Sequence, residues 1–275
     1  MKVKYTAAWV GLTAAALAAA TGCSSDPVRD TAQKAAEVAD SSEKIMAALT
    51  RATDRTEQLG SAEVRMTTDV GTGTPVAMDG TYSWGDGYAF DVQMDTAAAQ
   101  MQQLQDAPTM RVLFVDGAYY YDVDPQATGP LAGKEWMKVD SSAVFGEQGS
   151  QALSGSNGSP SASMKGLKYA KDVENLGSET VNGKTATHYR AVVDQERMGS
   201  LEDAFGGLTD SGATSITMDV WVDAEDLPVR MVQEFGAMKV SMDFAEFGRT
   251  VVVKAPPAAQ TGDLTEALEE AGAAG

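Results

Sequence analysis

The middle of the chain alternates apolar and polar residues with a period of two, and this pattern restricts it to β-strands. Over residues 62–70, apolar residues such as Ala62 and Val64 alternate with polar residues such as Glu63. Because successive side chains of a strand point to opposite faces, the alternation predicts strands with one apolar face. Similar strand-like segments occupy residues 76–84, 88–94, 110–115, 118–123, 136–139, 173–181, 185–193, 216–222, 228–235 and 238–244.

Short turns join these segments. Gly85-Asp86-Gly87, Asp116-Gly117 and Asn182-Gly183 are typical hairpin connections. The chain shows no alternation of strand and helix that would build a parallel sheet. We therefore predict an α+β fold, with a long antiparallel meander and helices near the front and in two insertions.

The segments between the strands are predicted individually. Residues 41–59 have apolar residues at helical spacing, and Gly60 would end that helix. We expect short helices at 164–170 and 195–206, a short helix or mobile flap at 96–106, and a short strand at 251–253. The Gly- and Ser-rich residues 146–163 predict a flexible loop, and 258–275 a polar C-terminal tail.

The N-terminal residues are typical of a bacterial lipoprotein signal peptide. Lys2 and Lys4 precede an uncharged apolar run at 7–20, which is shorter than the ~20 residues needed to span a bilayer. Ala20-Thr21-Gly22-Cys23 then resembles a lipobox, and Cys23 is the single cysteine. We predict that residues 1–22 are removed, that Cys23 is lipidated, and that 23–40 form a tether, part of which can be helical.

The charge of the chain limits its partners. Its formal net charge is −18 at pH 7. Nucleic acids and anionic lipid headgroups both attract positive patches, so the charge argues against either as a partner. We expect contact with a membrane only through the Cys23 lipid.

The sequence has few candidates for catalysis or metal binding. His188 is the single histidine, so a zinc site of ordinary composition is excluded, and a structural role is expected for it. Ser41-Ser42-Glu43-Lys44 and Lys184-Thr185-Ala186 match only part of the penicillin-binding motif set. The acidic segments 122–124 and 223–226 match no calcium-loop spacing. We predict no enzyme activity, no cofactor and no metal.

The apolar face of the strands is rich in methionine, a flexible and polarizable residue that suits surfaces accepting variable apolar shapes. Two interpretations stay open here: these residues form an ordinary core, or they line a cavity for acyl chains. The candidate cavity-lining residues are Met66, Met78, Tyr82, Phe90, Met110, Tyr189, Met218, Met238 and Met242.

Two longer segments resemble a known family. Residues 181–190, "VNGKTATHYR", and 219–230, "DVWVDAEDLPVR", together with the lipobox, tether and capped helix, resemble the actinobacterial lipoproteins of the LppX/LprG kind in the LolA-like superfamily. The similarity covers roughly 41–257. It implies a strongly curved antiparallel sheet, a half-barrel, closed by helices over a hydrophobic cavity. In studied members that cavity binds acylated lipids or glycolipids, or serves lipid and lipoprotein traffic.

The expected function is therefore that of a lipoprotein anchored on the extracytoplasmic face of the cell membrane. It would bind the acyl chains of a lipid or glycolipid and act as a carrier or chaperone. The alternative is a cell-surface sensor or scaffold of the same fold with no lipid cargo. Its partner would be a membrane protein, and Trp221, expected to point away from the core, is the candidate contact.

Overall fold

The computed structural model describes residues 27–71, 74–154, 159–167, 170, 173–194, 215–249 and 252–273. The chain divides into two units, 1–40 and 41–275. The described part of the first unit is helical. The helices of the described residues are α1 (Pro27–Leu59), α2 (Ser141–Ser154), α3 (Pro160–Gly166) and α4 (Thr265–Ala273).

Twelve strands of the described chain form a single sheet. They are β1 (Ser61–Asp69), β2 (Val76–Ser83), β3 (Ala89–Asp95), β4 (Thr109–Val115), β5 (Ala118–Asp122), β6 (Trp136–Asp140), β7 (Val173–Val181), β8 (Lys184–Asp194), β9 (Ser215–Asp223), β10 (Pro228–Phe235), β11 (Met238–Ala245) and β12 (Thr261–Asp263). Eleven of them, β1 to β11, agree with the predicted segments to within two residues at each end.

The sheet is curved and does not close into a barrel. Its strand order is β12-β6-β5-β4-β3-β2-β1-β11-β10-β9-β8-β7, so β12 and β7 are its two edges. Neighbouring strands are antiparallel, except that β12 runs parallel to β6. The pairing of β1 with β11 joins two meanders, β1 to β6 and β7 to β11. The predicted fold class is confirmed.

The Gly- and Ser-rich region differs from its prediction. Residues predicted as a flexible loop at 146–163 contribute to α2 and α3. Ser159 caps α3, since its hydroxyl accepts a hydrogen bond from the amide of Ala162, and Pro160 occupies the first turn. Ser followed by Pro is a common helix start, and this local signal outweighs the composition. Residues 155–158 lie outside the described part.

The C-terminal residues also differ from their prediction. Residues 252 and 253 are not in a strand, whereas part of the predicted polar tail forms β12 and α4. Lys138 Nζ lies 2.8 Å from Asp263 Oδ2, and Asp263 also accepts a hydrogen bond from the Thr265 amide. Burial would raise the pKa of Asp263, but these bonds lower it to about 2. Polar contacts therefore hold a segment that lacks apolar periodicity.

Two further segments were predicted incompletely. Helix α1 begins at Pro27, well before its predicted start at residue 41, because no Gly or Pro interrupts residues 28–59. Residues 96–104 form successive turns instead of a helix. Gln100 there has a φ of 59°, which interrupts helical geometry. The helix predicted at 195–206 lies outside the described residues.

The main core lies on one face of the sheet, which we call the inner face. It bears Val64, Phe90, Val112, Val220 and Phe244, and Leu49 and Ala52 of α1 pack in the same apolar cluster. A smaller cluster of Leu113, Val115, Ala118 and Tyr120 lies on the outer face beneath Val253. Among the described residues, no helix is long and apolar enough to cross a membrane.

Candidate functional site

Six methionines form one continuous row across the inner face, which we call the methionine row. Each lies directly opposite the next on the neighbouring strand. The row crosses six strands that are adjacent in the sheet, in the order β4-β3-β2-β1-β11-β10. In spatial order they are Met110, Met94, Met78, Met66, Met242 and Met231. Side chains directly opposite in an antiparallel pair are about 5 Å apart, so the row is a continuous thioether surface.

The centre of the row is less buried than its ends. Met110, Met94 and Met231 are buried, whereas Met78, Met66 and Met242 on the three central strands are half-buried. Thr68, Val76 and Val240, in the adjacent register position of the same strands, are also half-buried. The sheet therefore leaves apolar side chains partly accessible in the middle of its inner face.

All nine predicted cavity-lining residues lie in the inner-face cluster. Tyr82, Phe90, Met110, Tyr189 and Met218 are buried members, and Met66, Met78, Met238 and Met242 pack against it half-buried. Their role in lining a ligand cavity stays a prediction. Met94 and Met231 also belong to the methionine row but were not in the predicted set. Alternation along β3 and β10 places both on the inner face, but their place in the row depends on the β1–β11 register.

Six aromatic rings pack together on β2–β5 and the turn before β3, at one side of the inner face. Phe90 stacks on Phe114 with ring centroids 5.5 Å apart, and Phe114 meets Tyr119 edge-on at 4.8 Å. Tyr82, Tyr88 and Tyr121 complete this aromatic cluster. Burial raises the pKa of Tyr121 to about 12 and raises those of Tyr82, Tyr88 and Tyr119 further. The phenols are therefore neutral at physiological pH.

Helix α1 packs against the inner face through residues of its second half. Thr56 O accepts a hydrogen bond of 3.0 Å from Trp84 Nε1, which joins α1 to the end of β2. Glu57 pairs with Lys165 of α3 at 2.8 Å, and Arg51 lies 3.3 Å from Asp226 in the turn after β9. The helix is thus held at three points around the inner face.

Two buried polar groups of the inner face have no hydrogen-bond partner within the described chain. They are the hydroxyl of Tyr82 and Nε2 of Gln233. Gln233 lies on β10 opposite Met218 of β9 and Val240 of β11. Sequence alternation missed Gln233 because it places a polar residue at an inner position of β10.

A cleft of about 760 Å³ lies where α1 ends, beside the β2–β3 and β4–β5 turns. Gly60, Ser83, Asp116 and Val252 contribute to its wall, and Tyr88 joins that wall to the aromatic cluster. None of the nine predicted residues is among the described residues lining this cleft. It therefore reaches the inner face only at its aromatic side.

His188 lies in a polar cluster on the outer face of β8 and β9. Its ring stacks on Trp221 with centroids 4.0 Å apart, and its Nδ1 lies 2.8 Å from Glu179 Oε1. The pKa of Glu179 is lowered, chiefly by its hydrogen bond with His188. Trp221 points away from the core, as predicted, but is half-buried by these contacts.

The residues of the partial penicillin-binding motifs lie on different elements of the fold. Ser41 is exposed on α1, and Lys184 pairs with Asp223 at 3.4 Å. Asp223 also accepts hydrogen bonds from the amides of Glu225 and Leu227, which stabilises the turn after β9. The described residues contain no group of three or more side chains arranged to hold a metal ion. Cys23 lies outside the described residues.

Comparison with known proteins supports the fold. No family model matches the chain. The Streptomyces coelicolor protein named "Putative lipoprotein SCO4650" is 28% identical over 237 residues, which cover 82% of this chain and 77% of that protein.

Two crystal structures share the architecture. The Mycobacterium tuberculosis lipoprotein LppX has a TM-score of 0.52 and 14% identity, covering 77% of this chain and 99% of LppX. LprF from Mycobacterium bovis has a TM-score of 0.52 and 13% identity, covering 79% of this chain and 99% of LprF. The chain therefore has the fold of LppX and LprF, and the predicted resemblance is confirmed at the level of the fold.

Proposed function

We propose that this protein is a membrane-anchored lipoprotein that binds the acyl chains of a lipid or glycolipid on its inner face. It would act as a carrier or chaperone in lipid traffic of the cell envelope. The observation that carries the proposal is the methionine row, with its half-buried centre at Met78, Met66 and Met242.

The chemistry of the row suits acyl chains. Methionine has three rotatable bonds and a polarizable sulfur, so adjacent methionines adapt to chains of different length and saturation. Each methylene removed from water contributes about 0.8 kcal/mol, so ten would contribute about 8 kcal/mol before the costs of binding are subtracted. Helix α1 would cover the chain as a lid, since Leu49 and Ala52 already pack in the inner-face cluster.

The proposed anchor places this surface beside its source of lipid. Cys23 would carry two or three acyl chains after residues 1–22 are removed, and one chain alone anchors only marginally. The relative named as a lipoprotein supports this part of the proposal. The site would face the extracytoplasmic side, with no cofactor, metal or catalytic step. Cys23→Ala should release the protein from the membrane fraction, and continued membrane association would contradict the anchor.

Lipid binding is tested with full-length Cys23→Ala protein, which lacks its own acyl chains. We expect lipid to be extracted from the purified protein and a fluorescent fatty-acyl probe to bind it. Met66→Asp places a charge in the accessible centre of the row and should abolish probe binding while the sheet folds. Thr67→Asp, one residue along β1 and on the opposite face, is the matched control and should bind normally.

The outcomes separate the two functions considered. Absence of both extracted lipid and probe binding would overturn the carrier proposal and favour the sensor or scaffold alternative. Equal loss of binding in Met66→Asp and Thr67→Asp would show that charge on the strand, and not its inner face, matters. Only loss confined to the inner-face variant supports a site on the methionine row.

A further inference from the structure

Gln233 is a buried amide next to one end of the methionine row. Its side chain lies on the inner face of β10, between Met231 and Phe235 at the flanking inner positions. The residue is 7% exposed, and its Nε2 has no hydrogen-bond partner in the described chain. A polar donor is therefore embedded in an otherwise apolar surface.

An unpaired donor at this position is destabilising. A buried N–H that has left water and gained no partner loses its hydration without compensation. Met or Leu would fill a similar volume at no such cost, as Met218 does on the neighbouring strand. Buried polar groups in folded proteins almost always have a partner. The unpaired Nε2 donor of Gln233 therefore indicates a hydrogen-bond acceptor that a bound molecule supplies.

The position of Gln233 relative to the methionine row indicates which chemical group carries that acceptor. Residues two apart on a strand are about 7 Å apart, so Gln233 is one such step from Met231. The row continues from Met231 across five strand spacings, about 24 Å in all. A molecule with its acceptor at Gln233 and its hydrocarbon along the row would carry the polar group at the start of the chain. The carbonyl of an acyl linkage has that arrangement.

We infer that Gln233 Nε2 donates a hydrogen bond to the acyl carbonyl of a lipid whose chain lies along the methionine row. This inference rests on the proposed function and adds a specificity to it: the protein selects acyl lipids over ether-linked or plain hydrocarbon chains. Gln233 is the determinant of that selection, whereas the methionines bind any chain of suitable length.

The test compares two lipids that differ only in the carbonyl. A diacyl ester lipid and its dialkyl ether analogue, with the same headgroup and chain lengths, compete with a fluorescent acyl probe on full-length Cys23→Ala protein. We expect the ester to bind roughly five- to tenfold more tightly, the contribution of about one hydrogen bond. Gln233→Met and Gln233→Leu should bind both lipids alike, with the ether affinity maintained. Gln93→Met, an exposed glutamine on the other face of β3, should keep the preference.

Each outcome decides one question. If the native protein binds ester and ether equally, the role of Gln233 is wrong and lipid binding stands. If both Gln233 variants keep the preference for the ester, another group of the protein binds the carbonyl and the inference is again wrong. If neither lipid displaces the probe and the probe itself does not bind, the proposed function fails and this inference fails with it.

Discussion

His188 Nε2 lies 2.6 Å from Asp219 Oδ1, across β8 and β9 on the outer face of the sheet. Arg190 donates two further hydrogen bonds to the same carboxylate, at 2.7 and 3.2 Å. Asp219 is buried, so these hydrogen bonds replace the hydration that its carboxylate has lost. The single histidine of the chain therefore stabilises a buried acid, in line with the structural role expected from its place in a strand.

Removing this carboxylate should destabilise the protein. Asp219→Ala leaves the buried His188 ring without one partner and the Arg190 guanidinium without its acceptor. We expect the free energy of unfolding in urea to fall by about 2–3 kcal/mol. Glu234→Ala, which removes an exposed ion pair with Lys239, should change it by about 0.5 kcal/mol or less. Similar losses in the two variants would show that the buried cluster contributes no more to the free energy of unfolding than an exposed ion pair does.

The strands were predictable because their signals are local. Alternation along each strand and short turns such as Asn182-Gly183 define where hairpins lie, and the pairs β7–β8, β9–β10 and β10–β11 follow from them. The β1–β11 pairing was not predictable from such signals, because no turn connects those strands. The same holds for β12, whose attachment to β6 depends on individual contacts at Gly262 and Asp263.

The candidate site was predicted in composition but not in geometry. The sequence indicates which methionines face inward, but the continuous row depends on the register between β1 and β11. The unpaired amide of Gln233 could not be inferred, because a missing partner is a property of the packed structure. β12 and α4 were not predicted within the polar tail, because neither buries an apolar stripe that hydrophobic periodicity would reveal.

The hydroxyl of Tyr82 provides a second test of the inner face. It is buried without a hydrogen-bond partner in the described residues, while its ring lies 5.2 Å from that of Phe90. Tyr82→Phe removes the unpaired hydroxyl and keeps the ring contacts, so we expect the free energy of unfolding to rise by about 1 kcal/mol. Tyr82→Leu loses the ring contacts and should lower it. A destabilised Tyr82→Phe would indicate that the hydroxyl has a partner in solution.

The aromatic cluster should make the protein sensitive to alkaline pH. Burial raises the pKa values of Tyr82, Tyr88 and Tyr119 above their ordinary value of about 10, and that of Tyr121 to about 12. The unfolded chain therefore loses these protons at lower pH than the folded chain. Their contribution is complete below pH 10 and is lost as pH rises from about 10 towards 12 and beyond. Circular dichroism and phenolate absorbance, recorded together, should show unfolding and ionisation in the same pH range. Ionisation of the buried phenols with the fold intact would contradict this account.

Gly262 should be intolerant of any side chain, because β12 approaches the 130–131 segment closely. A Cβ at this position would lie 2.5 Å from the carbonyl oxygen of Pro130 and 2.9 Å from Leu131 Cδ2. The leucine can rotate but the backbone oxygen cannot move without distorting its segment, so Gly262→Ala should destabilise the attachment of β12 by about 1–3 kcal/mol. Amide hydrogen exchange should then accelerate in β12 and α4 while β1–β4 stay protected. Ala258→Ser, at an exposed position four residues earlier, is the control and should leave exchange unchanged. Unaltered protection of β12 in Gly262→Ala would mean that the segment is held by Lys138 and Asp263 and does not require the close approach.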